Sequence, residues 1–188
     1  MTWLIAGLGN PGPAYATTRH NVGYLVTDVL AARMGGKWTS HRKSRTDVVE
    51  GRLAGERVVL GRSRSYMNES GGPLKALGGF FDVPAEQFVV IHDELDIDFG
   101  RLRVKLGGGD NGHNGLKSLR GSLGTGDFHR VRVGIGRPPG QQTVHDFVLK
   151  PWSSVERKEL DINVEEAADA VESLITRGLV ETQSAFNR

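Results

Sequence analysis

The chain has 188 residues, 38% of them hydrophobic, and contains no cysteine. This length is enough for one domain with a buried core, and the lack of cysteine excludes disulfides, thiol nucleophiles and cysteine-ligated metal sites. The amino-terminal residues show no signal-peptide pattern, and no apolar run approaches the roughly 20 residues that a membrane span requires. We therefore expect a single soluble domain over residues 1–188, located in the cytoplasm.

The net charge of +2 hides an uneven distribution along the chain. Residues 1–155 contain 20 Lys and Arg against 14 Asp and Glu, whereas residues 156–181 contain 3 against 8. A basic body suits a polyanionic partner such as nucleic acid, although an ordinary solvated surface explains the same counts. The charge pattern leaves both interpretations open.

The first predicted elements are a strand, a tight loop and a helix. The apolar run at 3–8 predicts a buried strand, and it leads into a loop of glycines and prolines that carries Asn10 and His20. Apolar residues then recur at helical spacing from Val22 to Met34, and Gly35 ends the pattern. His20 is therefore expected near the amino end of this helix, where the helix dipole favours the neutral, proton-accepting ring.

The middle of the chain predicts a hairpin, a second helix and a central strand. The segments are a basic loop at 40–45, hairpin strands at 47–53 and 57–62, a polar loop at 63–73 and a helix through 74–81. Ala54-Gly55 provides the turn of the hairpin. The apolar run at 88–91 is typical of a strand in the centre of a sheet, and the acids that follow it, from Asp93 on, are expected to be exposed at the rim.

The last part of the chain predicts two cationic strands and a long helix. The segments are a strand at 102–106 with one basic face, a glycine-rich loop at 107–115, a helix through 116–123, a strand at 128–135, a looser segment at 138–152 and an amphipathic helix over 160–179. Arg130 and Arg132 are predicted to point outward. We interpret the looser segment as a flap and the acids of the long helix as its solvent-exposed face.

Two glycine clusters match the dinucleotide-binding pattern G-x-G-x-x-G, at 7–12 and 107–112. In the first, Pro11 and Pro13 prevent the last glycine from opening a helix, so no helix amino terminus faces a pyrophosphate. The second follows a half-charged strand and lacks an acidic residue at the end of the next strand. A nucleotide-dependent enzyme at the 107–112 loop therefore stays as a minor alternative.

The acidic run 93–98 does not fit a calcium loop. Counted from Asp96, the position that requires a bidentate Glu is Gly107. Asp96 and Asp98 are interpreted as turn caps. Asp93 lies just beyond the apolar strand, where its carboxylate can orient a histidine from another turn and raise its basicity.

Three asparagines, Asn10, Asn68 and Asn114, each lie in one of three glycine-rich loops. A His/Asp pair that activates water needs a group that polarises the attacked carbonyl, and uncharged amides are suitable. They recur beside His20, Met67 and His113, which suggests that the loops converge. Ser, Thr and Lys nucleophiles stay open, although no G-x-S-x-G pattern occurs.

Five segments occur in order over most of the chain: GLGNPGPAYATTRHN (7–21), YMNESG (66–71), HDELD (92–96), KLGGGDNGHNGLK (105–117) and FHRVRVGIGRP (128–138). Together they are similar to the bacterial-type peptidyl-tRNA hydrolase family, and the linked set is more specific than either glycine pattern. The resemblance implies a single α/β domain, normally monomeric, with a twisted, mostly parallel mixed sheet flanked by helices. The predicted long helix lies at its C-terminal end.

The resemblance also implies an activity, namely hydrolysis of the ester that joins a peptide to the terminal ribose of tRNA. By analogy His20 is the general base, Asp93 stabilises and orients it, and Asn10 helps to distinguish N-blocked from free aminoacyl ends. The remaining assignments are ester binding or water positioning by Asn68 and Asn114, cleft lining by Tyr15, Tyr66, Met67 and His113, and tRNA phosphate binding by Lys105 and Arg132.

The resemblance implies no metal, no cofactor and no obligate protein partner. A noncatalytic RNA-binding module on the same scaffold is the main alternative. The presence of His20, Asp93 and all three asparagines counts against that alternative.

Overall fold

A seven-stranded mixed sheet forms the centre of the protein in a computed structural model, which describes residues 1–187. The strands are β1 (Thr2–Gly7), β2 (Thr39–His41), β3 (Thr46–Leu53), β4 (Glu56–Ser63), β5 (Phe88–Glu94), β6 (Leu102–Leu106) and β7 (His129–Gly134). Their order across the sheet is β2-β3-β4-β1-β5-β7-β6. Arg188, the last residue of the expected domain, lies outside the described residues.

The strand directions confirm the expected mostly parallel mixed sheet. The four central strands β4, β1, β5 and β7 are mutually parallel. β3 is antiparallel to β4, β2 is antiparallel to β3, and β6 is antiparallel to β7. Five strands therefore run in one direction, and β3 and β6 run in the other.

Helices cover both faces of the sheet. They are α1 (Val22–Met34), α2 (Gly71–Phe80), α3 (Asn114–Leu123), α4 (Val144–Val148), α5 (Ser154–Arg177) and α6 (Leu179–Phe186). Side chains of α1 and α5 form one core with the sheet, and those of α2 and α3 form a second core on the other face. Among the described residues, the helices are too short or too polar to cross a membrane.

Two glycines allow the first strand, the first helix and β5 to approach closely. A β-carbon on Gly7 would lie 2.5 Å from the carbonyl oxygen of Gly23, and one on Gly23 would lie 2.5 Å from that of Ile91. Only glycine fits at such separations. The loop between β1 and α1 is thereby held over the carboxyl ends of β1 and β5, and it carries His20 to the end of β5.

The hairpin prediction is confirmed, but the predicted loop before it is partly a strand. Ala54 and Gly55 turn between β3 and β4 with positive φ angles of 49° and 85°. Thr39–His41 pairs with β3 as the edge strand β2, where we expected a basic loop at 40–45. Three exposed or half-exposed residues are too few to display an alternating pattern.

Two predictions of exposure near the ends of the central strands are wrong. All seven residues of β5 are buried, including Asp93 and Glu94, which we expected at an exposed rim. Arg130 is 1% exposed, although it was predicted to point outward. Its guanidinium donates to the carbonyl oxygens of Gly108 and Gly126, and also to that of Gly109. Loops fold over this edge of the sheet, so the charged groups there lie inside.

The long C-terminal helix is confirmed, with different bounds. α5 begins at a capping box formed by Ser153 and Glu156, and a turn at Gly178 separates it from α6. Its acids are not simply a solvent face. Arg33 of α1 forms ion pairs with three of them, Glu165, Asp169 and Glu172.

The topology also weighs against the nucleotide alternative. The 107–112 loop and α3 connect β6 to β7, and these two strands are antiparallel. A dinucleotide fingerprint belongs to a unit with two parallel strands, so the glycine pattern lacks its structural context here.

Candidate active site

A cleft of about 390 Å³ lies at the carboxyl ends of β1 and β5. The nine residues predicted for catalysis and substrate binding all line it: Asn10, Tyr15, His20, Tyr66, Met67, Asn68, Asp93, His113 and Asn114. The structure therefore brings together loops that are separated by up to about a hundred residues in the sequence. Lys105 and Arg132 do not line the cleft.

Asp93 lies between two imidazoles. Its Oδ2 is 2.8 Å from Nδ1 of His20, and its Oδ1 is 2.8 Å from Nε2 of His113. The N–H groups of Gly115 and Leu116 donate to Nδ1 of His113 at the start of α3, so that nitrogen is unprotonated and Nε2 donates to Asp93. His20 donates from Nδ1 to the same carboxylate. Its Nε2 is left to accept a proton.

The two partners shift each other's pKa in opposite directions. Burial alone would raise the pKa of Asp93, but the nearby His20 and His113 rings hold it well below its ordinary value. Burial alone would lower the pKa of His20, but the charge of Asp93 and its hydrogen bond raise that pKa above 6.5. The expected influence of the helix dipole towards a low pKa is therefore outweighed by the carboxylate.

His92 is a buried histidine that was not predicted to belong to the site. Burial lowers its pKa to about 3, so the ring is neutral. Its Nδ1 donates to the carbonyl oxygen of Asp93 at 2.8 Å, and its ring packs edge-on against that of His113. His92 thus forms part of the support beneath the His113 ring.

Asn10 is fixed through its main chain and its side chain. The amide of Asn21 accepts from the N–H of Asn10 at 2.9 Å and donates to the carbonyl oxygen of Asn10 at 2.8 Å. The N–H of Met67 donates to Oδ1 of Asn10 at 2.7 Å. That donor identifies the side-chain oxygen, so the two N–H groups of Nδ2 are available to a ligand. Asn21 was not predicted as a site residue, because only the residues around it have side chains that suggested a catalytic or binding role.

The other two asparagines are exposed on the walls of the cleft. Asn68 lies in a short 3-10 turn at Met67–Glu69, and Asn114 is the first residue of α3. A β-carbon on Gly115 would lie 2.6 Å from Sδ of Met67, so this glycine lets α3 approach the 3-10 turn. Tyr15 and Tyr66 meet edge to face, with ring centres 6.0 Å apart.

The segment predicted as a flap contains α4, which forms an apolar wall of the cleft through Val144, Val148 and Leu149. Arg19 attaches this segment to the turn that carries His20. Its guanidinium lies 4.1 Å from the ring centre of Phe147 and donates to the carbonyl oxygen of Phe147 and to Glu156. These partners lie more than 120 residues away in sequence, so no local pattern indicated them. Flap motion stays a prediction.

The cationic residues form a separate surface next to the cleft. In the β6–β7 register Lys105 lies opposite Arg130 and Arg103 lies opposite Arg132, so all four side chains project from one face of the sheet. Burial, and then the charges of Arg132 and Arg130, lower the pKa of Lys105. Arg132 is half-buried, and Glu94 binds its Nε at 3.1 Å and its Nη2 at 2.9 Å. Glu94 was not among the site residues predicted from the sequence.

His20, Asp93 and His113 are also of the residue types that bind metal ions. Their ligand atoms lie within 4.8 Å of one another. Hydrogen bonds of 2.8 Å already account for this arrangement, and both imidazoles present N–H groups to the carboxylate. The expectation that no metal takes part in the reaction stays a prediction.

The chain is similar in sequence and in structure to known proteins of one family. The family model for peptidyl-tRNA hydrolase matches residues 4–188. The chain is 60% identical to the peptidyl-tRNA hydrolase of Streptomyces coelicolor, over 98% of this chain and 94% of that protein. It is 61% identical to that of Rhodococcus erythropolis, over 99% and 98%. A crystal structure of peptidyl-tRNA hydrolase from Acinetobacter baumannii superposes with a TM-score of 0.91 at 34% identity, covering 97% of this chain and 93% of that one. The chain therefore belongs to the peptidyl-tRNA hydrolase family of enzymes.

Proposed function

We propose that this enzyme hydrolyses the ester bond between a peptide and the 3′ ribose of tRNA, and so returns the tRNA to translation. The observation that carries the proposal is the hydrogen bond between Nδ1 of His20 and Asp93 inside the cleft. It leaves Nε2 as a base in a site that also presents uncharged amide donors. This combination suits the attack of water on an uncharged ester.

In the proposed mechanism, Nε2 of His20 takes a proton from water as the water oxygen forms a bond to the ester carbonyl carbon. Asp93 stabilises the imidazolium that results, because its carboxylate stays ionised beside two N–H donors. The amide donors of Asn68 and Asn114 bind the carbonyl oxygen as it becomes negative or hold the attacking water. The bond to the ribose oxygen then breaks, and the imidazolium returns the proton to that oxygen. The products are tRNA with a free ribose hydroxyl and a peptide carboxylic acid, which releases its proton to solvent at neutral pH.

Recognition of the substrate is assigned to the edges of the cleft. Nδ2 of Asn10 is oriented by Met67 and helps to select N-blocked aminoacyl groups. Tyr15, Tyr66 and His113 border the cleft that receives the peptide and the terminal nucleotide. The cations on the neighbouring face of the sheet, Lys105 and Arg132, bind the terminal phosphate of the tRNA.

We further propose that residues 1–188 act as one monomeric domain in the cytoplasm, with neither a metal nor a cofactor. The family and the peptidyl-tRNA substrate support a role in translation. The pair of hydrogen bonds to Asp93 supports a reaction carried by side chains alone.

A single assay tests the activity. Purified protein is incubated with a peptidyl-tRNA and with the matched aminoacyl-tRNA that has a free amino group, each with excess chelator. We expect rapid release of the peptide and slow release of the unblocked amino acid, both insensitive to the chelator. Failure to release the peptide would refute the activity, loss of activity in chelator would refute the metal-independent mechanism, and equal release of both would refute the role of Asn10.

A further inference from the structure

Glu94 is a buried carboxylate that the proposed reaction does not use. It follows Asp93 in β5 and is 6% exposed. Since successive residues of a strand point to opposite faces, its side chain leaves the strand on the opposite side from that of Asp93. It reaches the face of the sheet that carries Lys105 and Arg132.

The two oxygens of Glu94 have different partners. Oε1 accepts from Nε and Nη2 of Arg132, at 3.1 and 2.9 Å. Oε2 accepts from Nδ2 of Asn111 at 3.1 Å and from the main-chain N–H of Asp96 at 3.3 Å. Charge-assisted hydrogen bonds of this kind are about twice as strong as neutral ones. One side chain therefore connects the cationic surface with the loop at residues 107–113.

Asn111 is the contact that brings this connection to the reaction cleft. It borders the cleft, and its Nδ2 donates to Asp96 at 2.7 Å as well as to Glu94. Two residues later the chain reaches His113, whose ring binds Asp93 and whose backbone leads into Asn114. The position of the 107–113 loop therefore determines where His113 and Asn114 stand at the cleft.

We propose that Glu94 is a positioning residue that couples phosphate binding at Arg132 to the order of the 107–113 loop. The inference rests on the phosphate site of the proposed function. A phosphate bound by Arg132 holds the guanidinium in place, and Glu94 and Asn111 transmit that restraint to the loop. A terminal phosphate then raises kcat in addition to lowering KM, whereas a simple binding contact lowers KM alone.

The first test changes Asn111, because this cuts the connection and leaves the Glu94–Arg132 pair intact. Asn111 has a φ of 50°, so Asn111→Gly removes the amide without straining the backbone. The substrate is a peptidyl-tRNA with its 5′-terminal phosphate and the same molecule after phosphatase treatment. We expect removal of the phosphate to lower kcat about tenfold in the unmodified enzyme and less than about twofold in the variant. KM still responds to the phosphate in both.

Glu94→Gln provides the second test, and Asp98→Asn is its matched control. Both variants remove one negative charge from the same stretch of chain, but Asp98 is exposed. We expect Glu94→Gln to lose most of the effect of phosphate on kcat and Asp98→Asn to keep it. Circular dichroism and thermal melts identify a variant that does not fold. In that case Asn111→Gly decides the question, because it leaves the buried ion pair in place.

The outcomes separate this coupling from the function on which it rests. If phosphate removal changes nothing in the unmodified enzyme, the phosphate site is wrong and the coupling is wrong with it. If the unmodified enzyme responds through kcat and both Asn111→Gly and Glu94→Gln respond equally, Glu94 only stabilises the fold. A response confined to KM in the unmodified enzyme overturns the coupling and leaves the phosphate site standing.

Discussion

The hydrogen-bonded centre around His20 and Asp93 differs in kind from the cationic surface of β6 and β7. The centre is buried, and short, directional hydrogen bonds from His20 and His113 hold the carboxylate of Asp93. On the cationic surface, Lys105 is only partly buried, and its pKa is lowered by burial and then by the neighbouring charges of Arg132 and Arg130. Directional hydrogen bonds in a buried site resist salt, whereas partly exposed charges act over a distance and are screened. The two regions should therefore fail differently when they are altered.

Replacing the proposed base should give the largest effect and is the sharpest test of the centre. We expect His20→Ala to lower kcat by roughly 10² to 10⁴, the usual contribution of a positioned general base. The salt dependence of tRNA binding should not change, since the cationic surface is untouched. Single-turnover hydrolysis and a binding titration measure the two quantities separately. Near-normal turnover in this variant would remove His20 from the role.

Most of the centre was predictable from the sequence because its residues lie in contiguous motifs at the ends of predicted elements. His20 follows a loop of glycines and prolines, Asp93 follows an apolar strand, and His113 precedes a helix. The cleft lining confirms that these loops converge. Their catalytic roles stay predictions.

The contacts that the sequence did not reveal are made between residues far apart in the chain. Alternation along β7 suggested that Arg130 faces water, but loop carbonyls from Gly108 and Gly126 enclose its guanidinium. Glu94 lies beside Asp93, and only the pairing of β5 with β7 brings it to Arg132. Strand periodicity assigns a residue to a face. It does not say whether a distant loop covers that face.

Asn21 tests whether the centre depends on a fixed main chain as well as on its reacting groups. Its amide makes two hydrogen bonds to the backbone of Asn10, so Asn21→Ala leaves a buried N–H and a buried carbonyl unpaired. Each unpaired buried group costs about 1–3 kcal/mol. We expect a lower melting temperature and, because Asn10 is displaced, a fall in kcat of about tenfold.

Asn163→Ala is the matched control for Asn21→Ala. Asn163 is half-buried on α5, and its Nδ2 has no hydrogen-bond partner among residues 1–187. Removing its amide should leave turnover nearly unchanged and should not lower the melting temperature, because the substitution removes a buried amide nitrogen that has no partner among those residues. Equal effects of the two substitutions would mean that Asn21 has no special role at the cleft.

The pH dependence of kcat/KM tests the electrostatics of the centre. The base must be neutral, and Asp93 raises the pKa of His20 above 6.5, so activity should fall as the pH drops through a value above 6.5. In Asp93→Asn the carboxylate is gone and burial dominates, so the acid limb of the residual activity should move below 6.5. An unmoved acid limb would show that another group titrates.

The same pKa shifts predict how the stability of the centre depends on pH. The depressed pKa of Asp93 means that its contribution is present above about pH 3.8 and is lost as the pH falls towards its folded-state pKa. The raised pKa of His20 means that its contribution is present below pH 6.5 and is lost as the pH rises through its folded-state pKa. Denaturant melts between pH 3 and pH 9 should therefore show the largest difference between the unmodified enzyme and Asp93→Asn at mildly acidic pH.

The smallest expected effect concerns the cationic surface and appears only when salt is varied. Lys105→Ala should weaken tRNA binding modestly and should reduce the slope of log affinity against log salt by about 0.7 to 0.9, the value for one lost phosphate contact. The kcat at saturating substrate should stay near normal, because Lys105 does not line the cleft. Binding titrations from low to moderate salt measure the slope.

Lys158→Ala is the control that keeps this last comparison specific. Lys158 is an exposed cation on α5, which packs against the opposite face of the sheet from the one that carries Lys105. Both substitutions change the net charge equally, so a general charge effect would alter both slopes alike. We expect only Lys105→Ala to change the slope. If the two variants behave identically, tRNA binding depends on the overall charge of the protein. The cationic residues of β6 and β7 would then not form a local binding surface that can be contrasted with the hydrogen-bonded centre.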